Sequence, residues 1–405
     1  MRREQLFVGL EIGTTKICVI VAEGLPDGSI HILGVGDTPS RGIRKGEIID
    51  FASVTECVRE AIIDAEEKSN VEIRSVWVAL SGGHLQSFNN RGIWILPDDH
   101  DAITQEDLRM VEINAKEVTL PSANAFLHTI IQNYHVDGNR NVIDPEGMIA
   151  SRLEADFHIV HGVKNRIQNT LRCLESLKLD VEDIVMNSLA SAQVVLTQQQ
   201  KDLGALVIDI GGGTTDFLIY IDGAVRHSGV LALGGDHITN DISIGLRLPI
   251  ARSELLKIEE GSALLTASMN EQKIHLKNDT LFSGCEIDRK ALNLIIHARV
   301  NELMQLLRRE VERGCHLDLL GAGIMLTGGC SKLRGIKKLT EEVFQLPVSV
   351  PLLSNISGPT STFENPEFST AIGLTKYANA VYTAIPHENF FSKITDVLGG
   401  FFGRR

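Results

Sequence analysis

Two glycine-rich segments, 198 residues apart, share one design that suits the binding of phosphate. Each consists of an apolar strand, a carboxylate, an Ile-Gly step, a short turn with two threonines and a second strand, and the two align on Glu11 and Asp209. Glycine lets the backbone approach a ligand closely, and successive backbone N–H groups in such a turn form a concavity for an anion. One such turn is more often an ordinary hairpin turn, but two copies can hold phosphates between them.

The side chains of the two turns strengthen this prediction. Threonine hydroxyls can donate hydrogen bonds to phosphate, and the ammonium group of Lys16 can meet its charge directly. The predicted phosphate-binding residues are Gly13, Thr14, Thr15, Lys16, Gly211, Gly212, Gly213, Thr214 and Thr215.

The carboxylate that ends each first strand indicates a metal ion. Asp209 interrupts an apolar run, and a buried carboxylate without a partner is costly, so we expect a cation or hydrogen bonds around it. Mg²⁺ that is held partly through water, beside the phosphates, would meet this need. The sequence therefore predicts that Asp209 and, through water, Glu11 serve a bound Mg²⁺.

Further segments are candidates for the nucleoside side of the same site. Residues 325–335 are typical of a strand, a double-glycine turn and a helix, and such a turn can lie flat against a nucleoside. Glu254 and Lys257 lie three residues apart on one helical face, although such a pair is more often a solvated ion pair. The predicted residues on this side are Gly235, Glu254, Lys257, Gly328, Gly329 and Ser331.

Composition limits the class of protein. The chain has 405 residues with a net charge of −13, which argues against nucleic acid as the main partner and favours two or three domains. Its six cysteines are scattered, which is typical of a reducing cytoplasm rather than of a zinc site. No apolar run approaches the roughly 20 residues of a membrane span, and Glu11 interrupts the first apolar stretch too early for a signal peptide. We therefore expect a soluble cytoplasmic protein.

Strand-like and helix-like patterns alternate along most of the chain, which predicts α/β architecture. Residues 84–162 differ and read as a small α+β insert. A helix is predicted to begin at Ser53 as its N-cap, with Glu56 at the capping-box position. Another helix is predicted over residues 333–344.

The order and spacing of these segments resemble the actin and sugar-kinase superfamily of ATPases and, within it, the FtsA family of bacterial cell division. The insert at residues 84–162 also distinguishes that family from other actin relatives. The segments that carry the closer resemblance are Gly42 with residues 45–50, residues 79–84, residues 144–148 with 152–154, and residues 187–192.

The resemblance implies an actin-like fold of two related α/β domains around a cleft that takes ATP and Mg²⁺. Its expected parts are a first domain at 1–83 and 163–203, an inserted α+β subdomain at 84–162, a second domain at 204–235 and 306–384, a smaller subdomain of it at 236–305, and a linker with a membrane-targeting amphipathic helix at 385–405.

Two positions depart from the family pattern. Position 11 is Glu where most relatives carry Asp, and position 187 is Asn where hydrolytic relatives often place Glu or Gln to orient water. Asn is a poor general base. We therefore expect ATP binding with weak or absent ATP hydrolysis, and the sequence identifies no catalytic residue.

Residues 385–405 form a separate, phenylalanine-rich pattern. At about 100° per residue, seven apolar side chains fall within an arc of about 140°, while Lys393 and Asp396 face away. This pattern predicts an amphipathic helix at a membrane interface, and the alternative is a helix docked onto the protein's own core. The predicted membrane-contacting residues are Phe390, Phe391, Ile394, Val397, Leu398, Phe401 and Phe402.

By resemblance, we expect a polymerising adaptor on the cytoplasmic face of the inner membrane, at the division septum. It would tether the FtsZ ring and help to recruit later divisome proteins. Residues 236–305 would bind the FtsZ C-terminal peptide, and Arg299 and Glu302 match family positions there, although Arg299 can equally be a surface charge. Two other classes stay open, the related pilus-assembly ATPase and a small-molecule kinase. A kinase needs a carboxylate base aligned with the γ-phosphate, for which the sequence offers no clear candidate.

Overall fold

The computed structural model of the protein describes residues 5–97, 102–265, 272–276, 284–353, 355–359, 362 and 364–384. The strands in these ranges are β1 (Gln5–Ile12), β2 (Lys16–Gly24), β3 (Ile30–Pro39), β4 (Ile43–Arg44), β5 (Glu47–Ile48), β6 (Ser75–Leu80), β7 (Gln86–Ile95), β8 (Asn124–Val136), β9 (Asn139–Val142), β10 (Arg152–Val163), β11 (Asp180–Met186), β12 (Ala205–Ile210), β13 (Thr215–Ile221), β14 (Ala224–Leu231), β15 (Lys273–His275), β16 (Glu286–Asp288), β17 (Gly323–Thr327), β18 (Val348–Ser349) and β19 (Ile356–Ser357). The α-helices are α1 (Phe51–Ser69), α2 (Gln105–Ala115), α3 (Lys164–Ser176), α4 (Asn187–Val195), α5 (Gln198–Leu203), α6 (Gly235–Leu246), α7 (Ile250–Glu260), α8 (Arg289–Gly314), α9 (Ile336–Phe344) and α10 (Ser369–Ala384).

The first lobe is built on a six-stranded mixed sheet in the order β11-β6-β1-β2-β3-β19. One face, which includes Leu10 and Val19, packs against α1 and α3. The opposite face, which includes Cys18 and Ile20, packs against α4 and α10. Because side chains alternate along a strand, the nearly continuous apolar run of β2 fits a strand that is covered on both faces.

The second lobe is built on a five-stranded sheet in the order β14-β13-β12-β17-β18. One face, which includes Ile208 and Phe217, packs against α6, α8 and α9. The other face, which includes Val207 and Leu218, belongs to the same core cluster as α4 and α10. These two helices therefore lie between the sheets of both lobes and form the shared centre of the molecule.

An inserted sheet, in the order β7-β10-β8-β9, carries α2 on one face. Helix α2 begins with a capping box in which Thr104 and Asp107 bond each other's backbone N–H groups. The insert also touches the second lobe, because β7 and β8 pack against β14. Polar contacts fix this join, since Ser87 Oγ donates to Ser228 O over 2.7 Å and His158 Nε2 lies 2.7 Å from Ser228 Oγ.

Two predicted helix starts were wrong. Helix α1 begins at Phe51, because its N-cap is Asp50, whose carboxylate accepts from the N–H of Ser53. Glu56 pairs with Arg59 one turn further on instead of closing a capping box. Helix α9 begins at Ile336 rather than at residue 333, because a 3₁₀ turn precedes it over Gly329–Lys332.

The chain returns to the first lobe after β18, although the sequence placed all of residues 306–384 in the second domain. Strand β19 pairs in parallel with β3. Helix α10 packs against α4, β1 and β2. A strand of two residues has no sequence signature, which is why the pattern missed this return.

The predicted amphipathic helix at 385–405 lies outside the described residues. None of the helices in the described part of the chain is long and apolar enough to cross a membrane.

Close packing of α4 on α10 gives a test of the shared centre. A Cβ at Gly373 would overlap the backbone carbonyl of Ala190, so we expect Gly373→Val to lower the stability of the fold by about 1–3 kcal/mol. The matched control is Ala380→Val, at an exposed position of the same helix. Thermal unfolding should show a large loss in melting temperature for the first variant and a small one for the second. Equal losses would contradict the packing described here.

Candidate functional site

A cavity of about 420 Å³ lies between the two lobes, and both glycine turns line it. The turns have the same geometry, since Gly13 N donates to Lys16 O over 3.0 Å and Gly211 N donates to Thr214 O over 2.9 Å. Each is a four-residue turn that joins two antiparallel strands, β1 to β2 and β12 to β13. The internal duplication in the sequence is therefore a duplication of structure.

The two turns face each other closely. A Cβ at Gly212 would overlap the hydroxyl of Thr15, and a Cβ at Gly213 would overlap the hydroxyl of Thr14. Glycine is required at these positions because the opposite turn occupies the space of a side chain. Backbone N–H groups and threonine hydroxyls thus converge from both lobes on one part of the cleft, as an anion site needs.

Three buried or half-buried carboxyl groups lie beside the turns. Burial raises the pKa of Glu11 to about 8, although the charge of Lys16 opposes this. Burial also raises the pKa of Asp209 to about 6, against the hydrogen bond that Thr370 Oγ1 donates over 2.9 Å. The pKa of Asp216 rises to about 8 through burial and the nearby charge of Asp209.

The polar atoms of this cluster fit a hydrated divalent cation. Glu11 Oε2, Asp216 Oδ1 and Asn187 Oδ1 are buried and have no hydrogen-bond partner among the described residues. Oxygen atoms are the ligands that Mg²⁺ prefers, and it commonly keeps several waters. No cluster of three His, Cys, Asp or Glu residues in the described ranges converges closely enough to hold a metal directly. The arrangement therefore suits an ion that is held partly through water.

A hydroxyl joins the two lobes across the cleft. Ser81, which follows β6 of the first lobe, donates to Asp216 Oδ2 over 2.7 Å and lies 3.0 Å from Thr214 Oγ1. Neither Ser81 nor Asp216 is among the site residues that were predicted from the sequence. The signal for Asp216 was present, because it is a second carboxylate that interrupts an apolar strand.

The predicted ion pair on α7 is part of the site. Lys257 Nζ lies 2.7 Å from Glu254 Oε2 and donates to Gly235 O over 3.2 Å. Lys257 is only 8% exposed, so this is not the solvated pair that its spacing alone would indicate. Cys330 lies on the same side of the cleft, where a Cβ at Gly235 would meet its sulfur.

Most of the predicted residues line the cleft, and two do not. The hydroxyl of Thr215 donates to Leu233 O, and that of Ser331 donates to Gly328 O, so both bond the backbone of their own lobe. The predicted residues that line the cleft are Glu11, Gly13, Thr14, Thr15, Lys16, Asp209, Gly211, Gly212, Gly213, Thr214, Gly235, Glu254, Lys257, Gly328 and Gly329.

A turn without a local sequence signal for the site also lines the cleft. Pro366, Glu367 and Thr370 come from the 3₁₀ turn and first residues of α10. These residues come from a segment far along the chain, so no local pattern connects them to the glycine turns.

Arg299 and Glu302 lie on α8, away from the cleft. The guanidinium group of Arg299 donates to both oxygens of Asp241, over 2.5 and 3.1 Å, and also pairs with Glu302. Arg299 is therefore not a bare surface charge, because two carboxylates of its own subdomain neutralise it.

Solved structures with the same fold define the class of protein. MreB5 of Spiroplasma citri bound to ADP is 14% identical, with a TM-score of 0.55 over 94% of this chain and 98% of that chain. A chain of the PilM–PilN type IV pilus biogenesis complex is 17% identical, with a TM-score of 0.64 over 92% of this chain and 98% of that chain. The protein thus has an actin-like fold with an inserted α+β sheet.

Sequence relatives identify the family within this class. The family model "Cell division protein FtsA" matches residues 206–373, and the model "SHS2 domain inserted in FTSA" matches residues 82–161. FtsA of Pseudomonas aeruginosa is 37% identical over 92% of this chain and 89% of its own. FtsA of Escherichia coli K12 is 35% identical over 92% and 90%. The chain belongs to the FtsA family of cell-division proteins.

The raised carboxyl pKa values give a pH test. A group whose pKa is higher in the folded state contributes stability that is lost as the pH rises through that pKa. Asp216, with a folded pKa of about 8, should therefore lower the stability of the fold increasingly between pH 5 and 8, with little further change above pH 8. Asp216→Asn cannot ionise, so its melting temperature relative to the parent should rise by roughly 3–5 °C over this interval when divalent cations are chelated.

The matched control for this measurement is Asp27→Asn. Asp27 is exposed and its pKa is lowered by hydrogen bonds from Ser29, so it stays ionised across the same interval. Its melting temperature should follow that of the parent at every pH. A flat difference for Asp216→Asn as well would contradict the buried carboxyl cluster.

Proposed function

We propose that the protein binds ATP with Mg²⁺ in the cleft between its lobes and polymerises at the inner membrane, where it anchors the FtsZ ring and helps to recruit later divisome proteins. The observation that carries this proposal is the pair of opposed glycine turns in a chain of the FtsA family. The family supports the cell-division role, and the geometry of the cleft supports the binding of a polyphosphate.

Different residues of the cleft would bind the phosphates, the nucleoside and Mg²⁺. The backbone of residues 13–16 and 211–214 would donate hydrogen bonds to the phosphates, together with the hydroxyls of Thr14 and Thr15. Gly235, Lys257 and the turn at Gly328 would hold the nucleoside. Asp209, Asp216 and Glu11 would hold Mg²⁺ partly through water, and the ion would offset the phosphate charge.

Hydrolysis has weaker support than binding. Asn187 lines the cleft with a buried Oδ1, and a neutral amide is a poor general base. We therefore assign no catalytic residue and propose that nucleotide occupancy, rather than turnover, sets the angle between the lobes and so the contacts of a filament.

Membrane attachment would come from the amphipathic pattern at residues 385–405. Seven large apolar side chains contribute at most ~10–20 kcal/mol if they are fully buried, and ordering the segment opposes this by a similar amount. A single tail would bind weakly and reversibly. Tails that are linked in a polymer would bind far better, because avidity multiplies weak contacts.

The likeness to the PilM–PilN complex favours a second candidate, an actin-like ATPase of pilus assembly. That likeness is one of fold at 17% identity, whereas FtsA relatives reach 37%. A kinase has less support, because the sequence offers no clear carboxylate base for it. A kinase activity would also leave the apolar pattern at residues 385–405 without a role. Binding of an FtsZ peptide distinguishes the cell-division adaptor from the pilus-assembly ATPase, since the pilus protein would not bind it.

Vesicle co-sedimentation tests the anchor. We expect the full chain to pellet with vesicles that contain anionic phospholipid, more strongly with ATP and Mg²⁺, and a chain that ends at Ile385 to stay in the supernatant. Phe401→Glu should weaken binding at least tenfold, because it places a charge in the apolar arc. Its matched control, Asp396→Asn on the polar face, should bind at least as well as the parent. Equal pelleting of the full and shortened chains would rule out the tail as the anchor.

The ion pairs of Arg299 give a test of the peptide site. An acidic FtsZ C-terminal peptide would compete with Asp241 for the guanidinium group. Asp241→Asn should therefore tighten peptide binding by about two- to fivefold, the range expected for a partly exposed ion pair. Fluorescence anisotropy with a labelled peptide measures this change.

The control is the same substitution in an Arg299→Gln background, where it should have no effect because the competing cation is gone. If Asp241→Asn changed the affinity equally in both backgrounds, Arg299 would not be the group that the peptide contacts.

A further inference from the structure

The ammonium group of Lys16 has an unusual partner. Its Nζ lies over the ring of Phe368, 3.4 Å from the ring centroid. The same Nζ is buried and has no hydrogen-bond partner among the described residues. A lysine ammonium carries three N–H donors, and none of the three is used by a group that the structure describes.

The nearby carboxyl groups of the described residues form no ion pair with Lys16. Glu11 is close enough for Lys16 to lower its pKa, and Glu367 adds to the negative potential at Glu11. Lys16 nevertheless makes no hydrogen bond to either of these described side chains. An aromatic face attracts a desolvated cation without supplying a negative charge. The ring thus holds Lys16 in the cleft while the charge of Lys16 stays unneutralised by an ion pair.

The turn that carries Phe368 is itself firmly held. Phe368 N donates to Asn365 O over 3.1 Å, and Pro366 O accepts from Gly328 N over 3.2 Å. The hydroxyl of Ser369 also donates to Pro366 O, over 2.9 Å. These bonds tie the ring to the glycine turn that follows β17, in the second lobe, while Lys16 belongs to the first lobe.

A residue that follows this turn contacts a carboxylate of the cleft. Thr370, two residues beyond Phe368 in the first turn of α10, donates to Asp209 Oδ2 over 2.9 Å. A single segment therefore positions one cation and one carboxylate of the cleft, each through a different kind of contact.

We propose that Phe368 is a positioning residue for Lys16. The ring holds the ammonium group at the cleft wall and keeps it from forming an ion pair with Glu11, so that it meets polyphosphate with its charge and donors free. This inference rests on the proposed function, the binding of ATP in the cleft, and it adds a residue outside the glycine turns to that site.

The test compares ATP and adenosine, because only the first carries the charge that Lys16 would meet. Phe368→Leu removes the aromatic face at similar size, and we expect it to weaken ATP binding by about 3- to 30-fold, the range of a partly to fully desolvated cation–π contact. Adenosine binding should not change. Phe368→Tyr keeps the ring and should retain the parent affinity for both ligands. Isothermal titration calorimetry on the full chain with Mg²⁺ measures all of these affinities.

A double-mutant cycle isolates the contact. In a Lys16→Met background, Phe368→Leu should cause no further loss of ATP affinity. Phe368→Met is a second ring-free variant in case the leucine variant unfolds, and it should give the same pattern.

Three outcomes would overturn the inference. One is a loss of ATP and adenosine affinity by the same factor, which would indicate a structural role. Another is an undiminished loss in the Lys16→Met background, and the third is a tyrosine variant as weak as the leucine variant. A parent protein that binds no nucleotide would instead refute the proposed function, and the inference with it.

Discussion

The cleft buries ionisable side chains that the described residues around them do not pair fully. Glu11, Asp209 and Asp216 all line the cleft with Lys16, which lies on an aromatic ring instead of in an ion pair, whereas Lys257 pairs with Glu254. Burial raises the pKa of Glu11 and of Asp216 to about 8, so in the empty cleft both favour the neutral form near pH 7. A divalent cation would reverse this preference, because a nearby positive charge favours the ionised form.

This constraint explains why a cation and a polyphosphate belong together here. Phosphate alone would bring more negative charge to a site that already holds three carboxyl groups. A cation alone would find oxygen atoms but would leave the backbone N–H groups of both turns without an anion. Only the pair would satisfy both the carboxyl groups and the N–H groups, and the two turns that would hold it come from different lobes. Binding of both at this site would therefore favour one relative position of the two lobes over others.

The sequence could predict the parts of the cleft that repeat locally. The strand–carboxylate–glycine–threonine pattern occurs twice, and each copy folds from neighbouring residues, so periodicity and turn chemistry are enough. Tertiary contacts decide the rest. Ser81 and Phe368 reach the cleft only because β6 and α10 pack beside β1, and Thr215 faces its own lobe because it is the first residue of β13. The predicted N-cap of α1 was wrong for a related reason. Asp50 and Ser53 are both residue types that favour the N-cap position, and only the backbone geometry decides between them.

The helices α4 and α10 connect this local chemistry to the rest of the molecule. Helix α4 packs against the sheets of both lobes, while α10 packs against α4 and the first sheet and reaches the second lobe through the bond from Thr370 to Asp209. Both helices begin at the cleft, α4 with Asn187 and α10 with Ser369 beside Thr370. A change in the contacts of Asp209 or Lys16 would therefore act at the first residues of two helices that lie in a close-packed core. Such cores shift between discrete arrangements rather than deforming continuously. Helix α10 then leads directly to residues 385–405, so a nucleotide-dependent shift of this helix would also move the start of the segment whose pattern predicts membrane binding.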